Sequence, residues 1–173
     1  NMKIGDPSDE NTKLGALISP EHLSKVEEYI EIAKDEGGTV LTGGYPNLPE
    51  EFKNGNWISP TVIANLDVNS RCSTEEIFGP VVTIHKFSNE NEAIEIANNT
   101  RYGLAGSIWT NDLEKANRVA ESIHTGMIWI NTWLHRDLRV PFGGVKDSGV
   151  GREGGKWSLS FFSEVMNICI KHK

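Results

Sequence analysis

The first regular alternation of apolar and polar positions lies early in the chain. Apolar residues recur there at intervals of three and four, which is the spacing of one helix face. Ser19 suits the N-cap, Pro20 suits the first helical position, and Gly37 and Gly38 supply a stop. The pattern therefore predicts a helix that starts at Pro20 and ends at the two glycines, followed by a short strand at residues 39–41.

The next stretch is punctuated by glycine and proline. Residues 43–56 hold several of both, so we expect a surface loop there. Residues 57–63 are apolar and β-branched but contain Pro60. Because proline cannot donate a hydrogen bond to a neighbouring strand, this segment is predicted to be an edge strand or irregular.

From Val81 onward, short apolar runs alternate with stretches that have helical spacing. A strand–helix–strand–helix–strand order with short connections is typical of right-handed βαβ units. The sequence therefore predicts an α/β fold built on a parallel βαβαβ sheet. Its predicted elements are a strand at 81–87, a helix at 88–99, a strand at 104–109, a helix from about Asp112 to a stop at Gly126, and a strand at 127–130.

Regular patterning stops after Asn131. Residues 132–156 contain Pro141 and six glycines together with large apolar side chains. A long apolar loop beyond the carboxyl end of a parallel strand is where α/β proteins bind ligands. Residues 165–173 alternate again, which predicts a half-buried strand paired with something outside this chain.

Charge divides the 173-residue chain, whose formal net charge is −7. Residues 1–133 carry 10 basic against 20 acidic side chains, a net of −10, whereas residues 134–173 carry 7 against 4, a net of +3. The acidic part disfavours nucleic acid as a partner, and the basic part suits a small anionic ligand. No run approaches the roughly 20 apolar residues that span a bilayer, and no leader is present, so we expect a soluble, cytoplasmic protein with no membrane partner.

Three features of the sequence could indicate a metal site, a cysteine nucleophile or a dinucleotide site, and none of them does so convincingly. The two cysteines and five histidines show no ligand spacing, so no metal site is predicted. Cys72 lies beside Arg71, which can lower a thiol pKa, but no base is near it in sequence, and Cys169 is an equally poor nucleophile. Residues 149–154 match G-x-G-x-x-G, but a dinucleotide fingerprint needs a strand before it, a helix opening from it and an acidic residue about 20 positions on, and only 19 residues follow Gly154. The run is therefore predicted to be a glycine loop that lets the backbone pass close to another element.

The segment Glu75–Pro80 has two interpretations. It is either a polar turn with one buried phenylalanine or part of a nucleotide site. In a nucleotide site, one carboxylate would accept hydrogen bonds from two vicinal ribose hydroxyls while a ring packs on a flat heterocycle.

Arg136 and Arg139 lie in the apolar glycine loop with Asp137 between them. One interpretation is that both side chains are solvated on the surface. The other is that the guanidinium of one of them binds a substrate carboxylate bidentately. In the second case, Asp137 would orient that guanidinium.

Several motifs resemble the aldehyde dehydrogenase superfamily. They are Thr74–Val81 (TEEIFGPV), Asn98–Ala105 (with NN and YGLA) and Pro141–Gly154 (with PFGGVK, SG and GREG). They occur in the expected order, and the resemblance covers the chain from Gly5 to Lys173. The stretch 131–138 resembles the branch that oxidises 2-aminomuconic and hydroxymuconic semialdehydes.

The resemblance implies roles for particular residues. Glu76 would bind the nicotinamide-ribose hydroxyls of NAD, and Phe78 would pack beside the nicotinamide. Phe142 would line the substrate channel, and Arg136 would hold a substrate carboxylate. Residues 160–173 would form the contact of a homo-oligomer.

In this family a cysteine thiolate attacks the aldehyde, hydride passes to NAD, and a glutamate activates the water that hydrolyses the thioester. The resemblance places both of these residues outside the chain, so we expect the isolated chain to be inactive. The implied division is a catalytic-domain portion at 1–147 with a substrate loop at 132–147, a glycine-rich return segment at 148–157 and an oligomerisation strand at 158–173. The alternative is a stand-alone, non-catalytic binding or assembly module derived from that family.

Overall fold

A computed structural model describes residues 2–172. The chain forms two compact units, Asn1–Asn89 and Glu90–Lys173. Both units combine helices with short strands, as predicted for an α/β protein. Within the described part of the chain, no helix has the length and apolar character needed to cross a membrane.

The first unit begins with the predicted helix. The Ser19 hydroxyl accepts a hydrogen bond from the backbone N–H of His22 at 3.1 Å, which caps the first turn. Gly37 follows the helix at a φ of +87°, a conformation that glycine adopts without steric cost. The elements of this unit are α1 (Pro20–Asp35), β1 (Thr39–Thr42), a 3₁₀ turn (Glu50–Phe52), β2 (Thr61–Ala64), α2 (Arg71–Thr74) and β3 (Val81–Ile84).

Strand β2 lies in the middle of a three-stranded sheet. It pairs antiparallel with β1 and parallel with β3, in register from Thr61 opposite Val81 to Ala64 opposite Ile84. The expectation of an edge strand or irregular segment at 57–63 is therefore wrong for residues 61–63, which lie in this central strand, whereas residues 57–60 are irregular as expected. Pro60 precedes the first paired residue, so its missing N–H removes no hydrogen bond from the sheet. The buried apolar residues around the sheet and α1 are Val26, Ala33, Ile58, Ile63, Leu66, Cys72 and Ile77.

The second unit contains one clear βαβ arrangement. Its strands β5 and β6 pair in parallel, from Ala105 opposite Met127 to Ile108 opposite Ile130, and helix α4 connects them. The carboxylate of Asp112 caps α4 by accepting from the backbone N–H of Lys115 at 2.9 Å. The elements are α3 (Glu90–Asn98), β4 (Tyr102–Gly103), β5 (Ala105–Ile108), α4 (Leu113–Ser122), β6 (Met127–Ile130), β7 (Val145–Lys146) and α5 (Gly155–Phe161).

The predicted continuous βαβαβ sheet is not observed among residues 2–172. Strand β3 pairs with β2, whereas β5 pairs with β6. The strand predicted at 104–109 is confirmed as β5, and the short strand β4 just before it pairs antiparallel with β7. Periodicity indicates that a segment is extended, but pairing depends on contacts distant in sequence.

The predicted half-buried terminal strand is not formed either. Helix α5 occupies Gly155–Phe161, and residues 163–172 make no strand pairing. Val165 is 97 % exposed and Ile170 is 73 % exposed. Their apolar side chains therefore contact little of this chain, and a partner for them stays a prediction.

Candidate functional site

Glu75, immediately after α2, is engaged with side chains of the same unit. Its carboxylate accepts a hydrogen bond from the Tyr29 hydroxyl at 2.6 Å and pairs with the Arg71 guanidinium at 3.2 Å. The hydrogen bond to Glu75 raises the pKa of Tyr29, because ionising the phenol would lose that bond and bring two negative charges together. Glu75 therefore ties α2 to α1.

Glu76 has the opposite surroundings. Within residues 2–172 its carboxylate has no hydrogen-bond or ion-pair partner, and only its backbone carbonyl is engaged, by Lys25 Nζ at 3.3 Å. Ile77, the next residue, is buried in the core, and Phe78 is 71 % exposed. The segment therefore presents a carboxylate and an aromatic ring on its outer side.

Phe78 is held by the start of α1. Its backbone has a φ of +56°, which bulky residues rarely adopt. The Phe78 carbonyl accepts from His22 Nε2 at 2.5 Å, and since a carbonyl can only accept, Nε2 carries the proton. A Cβ at Gly79 would lie 2.6 Å from a Val26 methyl group, so the turn packs directly on the helix. The interpretation as a turn with a buried phenylalanine is wrong, because Ile77 is the buried residue.

In the second unit, the loop after β6 folds back onto that strand. Asn131 and Leu134 adopt φ values of +54° and +55°. The indole N–H of Trp129 donates to the His135 carbonyl at 2.9 Å, and the Trp129 and Trp133 rings meet edge to face at 5.0 Å. These contacts fix the backbone immediately before Arg136.

Arg136 meets two residues from a later part of the same loop. Its guanidinium carbon lies 4.1 Å from the centroid of the Phe142 ring, which is cation–π geometry. Its Nη2 donates to a Glu153 carboxylate oxygen at 2.9 Å. The backbones of Phe142 and Glu153 form an antiparallel bridge through hydrogen bonds of 2.9 and 2.8 Å. The three side chains thus form one cluster.

Asp137 does not orient Arg136, which corrects the expectation from the sequence. Its carboxylate binds Arg139 instead, at 2.9 Å to Nε and 2.6 Å to Nη2. The hydrogen bonds from the Arg139 side chain and backbone lower the pKa of Asp137. Arg139 and Asp137 therefore form a solvated surface ion pair, in which the Arg139 side chain is 88 % exposed. Arg136, in contrast, lies over the Phe142 ring.

Two of the three glycines of the G-x-G-x-x-G run, Gly151 and Gly154, lie close against other segments of the chain. A Cβ at Gly151 would lie 2.3 Å from the Phe161 ring, and one at Gly154 would lie 2.2 Å from the Val140 carbonyl. Both glycines have positive φ values, +74° and +98°. The prediction of a glycine loop between closely packed segments is confirmed at these two positions.

Cys72 is a buried thiol that donates to the Tyr29 carbonyl at 3.1 Å. Burial, with Glu36 nearby, raises the pKa of this thiol, which disfavours the thiolate needed for nucleophilic attack. Within residues 2–172, no three His, Cys, Asp or Glu side chains are grouped so that they could hold a metal ion.

The predicted site residues therefore form two local pairs. Glu76 and Phe78 share one exposed segment of the first unit, and Arg136 contacts Phe142 in the second. Sequence reasoning missed Glu153 as a partner of Arg136, because 17 positions separate them and no periodic pattern links them. It also missed His22, whose only signal was its place in the first turn of α1.

Comparison with known proteins adds to this geometry. The sequence model of the Aldehyde dehydrogenase family matches residues 1–168. The chain belongs to the aldehyde dehydrogenase family. Among curated members, it is 49 % identical over 171 residues to 2-aminomuconic 6-semialdehyde dehydrogenase of a Pseudomonas species, covering 98 % of this chain and 35 % of that protein. It is 47 % identical over 173 residues to 2-aminomuconic semialdehyde dehydrogenase of Bos taurus, covering 98 % of this chain and 36 % of that enzyme.

Solved aldehyde dehydrogenases share the fold. The crystal structure of betaine aldehyde dehydrogenase from Staphylococcus aureus in complex with NAD+ superposes with a TM-score of 0.88 at 43 % identity, covering 93 % of this chain and 32 % of that one. The α/β, aldehyde dehydrogenase-like fold is thereby confirmed. This chain spans about a third of the length of the aldehyde dehydrogenases that it matches.

Proposed function

We propose that this chain is the part of an NAD-dependent aldehyde dehydrogenase that positions cofactor and substrate, and that the substrate is a carboxylated muconic semialdehyde. The observation that carries the proposal is the Arg136 guanidinium lying on the Phe142 ring. It occurs in a chain 48 % identical to 2-hydroxymuconic semialdehyde dehydrogenase of Pseudomonas putida.

Arg136 is suited to bind a substrate carboxylate. Its planar guanidinium has five N–H donors in a fixed geometry that matches two carboxylate oxygens. The ring beneath it shields one face from water, while 37 % of the side chain stays exposed to a ligand. Phe142 is then also the apolar wall along which the carbon chain of the semialdehyde lies.

Glu76 and Phe78 fit the nicotinamide-ribose end of NAD. When bound, NAD supplies the hydride acceptor. The Glu76 carboxylate would accept hydrogen bonds from the ribose hydroxyls, and the exposed Phe78 ring would pack beside the nicotinamide. Support comes from the exposure of both side chains and from the NAD+ complex of the Staphylococcus aureus relative.

We place the groups that make and break bonds outside these 173 residues. Cys72 supports this, because its thiol is buried and donates to a backbone carbonyl. The assembly we propose is a cytoplasmic homo-oligomer whose subunits meet through residues 160–173. Exposed apolar side chains support that contact: Phe161, Phe162, Val165, Met166, Ile168 and Ile170.

Replacing Arg136 by alanine in the whole dehydrogenase tests the substrate class. For a carboxylated semialdehyde, kcat/KM should fall about 30- to 150-fold, since losing a charged, bidentate contact costs about 2 to 3 kcal/mol. For a neutral aldehyde of similar length, it should change less than threefold. Arg139→Ala is the matched control, since Arg139 is bound to Asp137, and it should affect neither substrate. Equal losses on both substrates in Arg136→Ala would overturn the carboxylate role.

A further inference from the structure

We propose that Glu153 is a positioning residue that fixes Arg136 in the orientation that receives the substrate carboxylate. The inference rests on the proposed role of Arg136 and extends it to a residue that would not itself touch the substrate.

Two contacts restrict the Arg136 guanidinium in different ways. Stacking at 4.1 Å from the Phe142 centroid holds it near the ring but leaves it free to rotate in its own plane. The hydrogen bond from Nη2 to Glu153 at 2.9 Å prevents that rotation. Together they define both the place and the direction of the remaining N–H groups.

The two supports of Arg136 are themselves joined. Phe142 and Glu153 exchange two backbone hydrogen bonds, so the backbone positions that carry the ring and the carboxylate are held side by side. The segments that carry them approach closely, because a Cβ at Gly143 would lie 2.9 Å from the Gly151 carbonyl. Arg136 therefore contacts two side chains whose backbones are joined and not two that belong to unconnected segments.

The Arg136–Glu153 pair leaves N–H donors of the guanidinium available, unlike the Arg139–Asp137 pair in the same loop. Among the described residues, Glu153 is the sole acceptor for the Arg136 side chain, through one nitrogen. Arg139, in contrast, directs both Nε and Nη2 at Asp137. A second carboxylate can therefore bind Arg136 without breaking its contact to Glu153, whereas at Arg139 it would compete with Asp137.

Stability is not what the Arg136–Glu153 pair chiefly supplies. The Glu153 side chain is 59 % exposed, and ion pairs so exposed to water add little to the free energy of unfolding. Orientation of a binding group, by contrast, affects affinity directly, since small misplacements of such groups are costly.

The test uses the whole dehydrogenase with Glu153→Ala and Glu153→Gln. In Glu153→Ala, KM for the carboxylated semialdehyde should rise about three- to tenfold while KM for a neutral aldehyde and both kcat values stay within twofold. Glu153→Gln keeps an acceptor oxygen and should restore KM to within twofold of the parent. Glu90→Ala, which removes the ion pair with Arg118 outside the substrate loop, is the matched control and should change neither KM.

The double variant Arg136→Ala, Glu153→Ala separates the two proposals. It should behave like Arg136→Ala alone, because Glu153 acts through Arg136. A KM that is unchanged or lower in Glu153→Ala, or equal shifts for both aldehydes, would overturn the positioning role and leave that of Arg136 intact. If Arg136→Ala alone kept the parent's selectivity for the carboxylated substrate, the proposed function itself would be overturned.

Discussion

Adjacent carboxylates differ sharply in what their surroundings allow them to do. Glu75 is bound by Tyr29 and Arg71, so its oxygens serve the contact between two helices. Glu76 has an exposed side chain whose oxygens accept nothing from the described residues. Of the two, Glu76 is the one that can accept hydrogen bonds from a ligand.

Replacing Glu76 by alanine in the whole dehydrogenase should therefore weaken cofactor binding. We expect KM for NAD to rise about tenfold or more, because hydrogen bonds to a charged acceptor are lost. KM for the aldehyde should stay within twofold. Steady-state kinetics with NAD as the varied substrate measure the effect.

Glu75→Gln is the control for this change. It should lower the midpoint of thermal unfolding, since it weakens the contacts to Arg71 and Tyr29, and leave KM for NAD within threefold. If the Glu75 variant raised KM for NAD as much as the Glu76 variant, the distinction between the two carboxylates would be contradicted.

Among the elements, α4 depends on a local cap. The Asp112 carboxylate satisfies the N–H of Lys115, and α4 joins the two parallel strands of the second unit. Asp112→Ala should lower the free energy of unfolding by about 1 kcal/mol, the usual cost of losing an N-cap.

Urea unfolding of the 173-residue chain, followed by far-ultraviolet circular dichroism, measures this effect of the cap. Asp112→Asn should be close to the parent, because asparagine caps as well as aspartate. If the asparagine variant were as unstable as the alanine variant, the loss of stability would come from the missing charge and not from the missing cap.

Elements with strong local signals could be predicted from sequence. Helix α1 starts at its predicted proline, and β6 occupies its predicted residues, because capping, spacing and β-branched runs are local properties. Pairing could not be predicted. The neighbour of β2 on each side, and the pairing of β4 with β7, depend on contacts between residues far apart in the chain. Helix α5 was missed because glycines stand at its start.

In the candidate site, too, residues within one short motif could be predicted, whereas contacts between distant residues could not. Glu76 and Phe78 could be proposed because they share one short motif; both side chains are exposed, and their cofactor role stays a prediction. Asp137 was assigned to Arg136 on proximity in sequence, yet a carboxylate two positions from Arg139 reaches that guanidinium instead. Glu153 required the structure, since only the folded loop brings it to Arg136.

At the scale of the whole molecule, binding and chemistry are expected to reside in different parts of the dehydrogenase. The purified 173-residue chain should produce no NADH from a semialdehyde and NAD, because the nucleophile and base we propose lie outside it. Absorbance at the NADH band measures activity, and circular dichroism confirms that the chain is folded. NADH formation by the folded chain, abolished in Cys72→Ser or Cys169→Ser, would contradict that separation.

The apolar segment after α5 also bears on how the protein is made. Its unpaired backbone groups, with Ile168 and Ile170 beside them, are a template onto which any other extended chain can add. These residues leave the ribosome after the helices and strands of both units, so the rest can fold before this apolar segment is exposed. We expect a chaperone to shield this segment until the subunit contact that we propose forms.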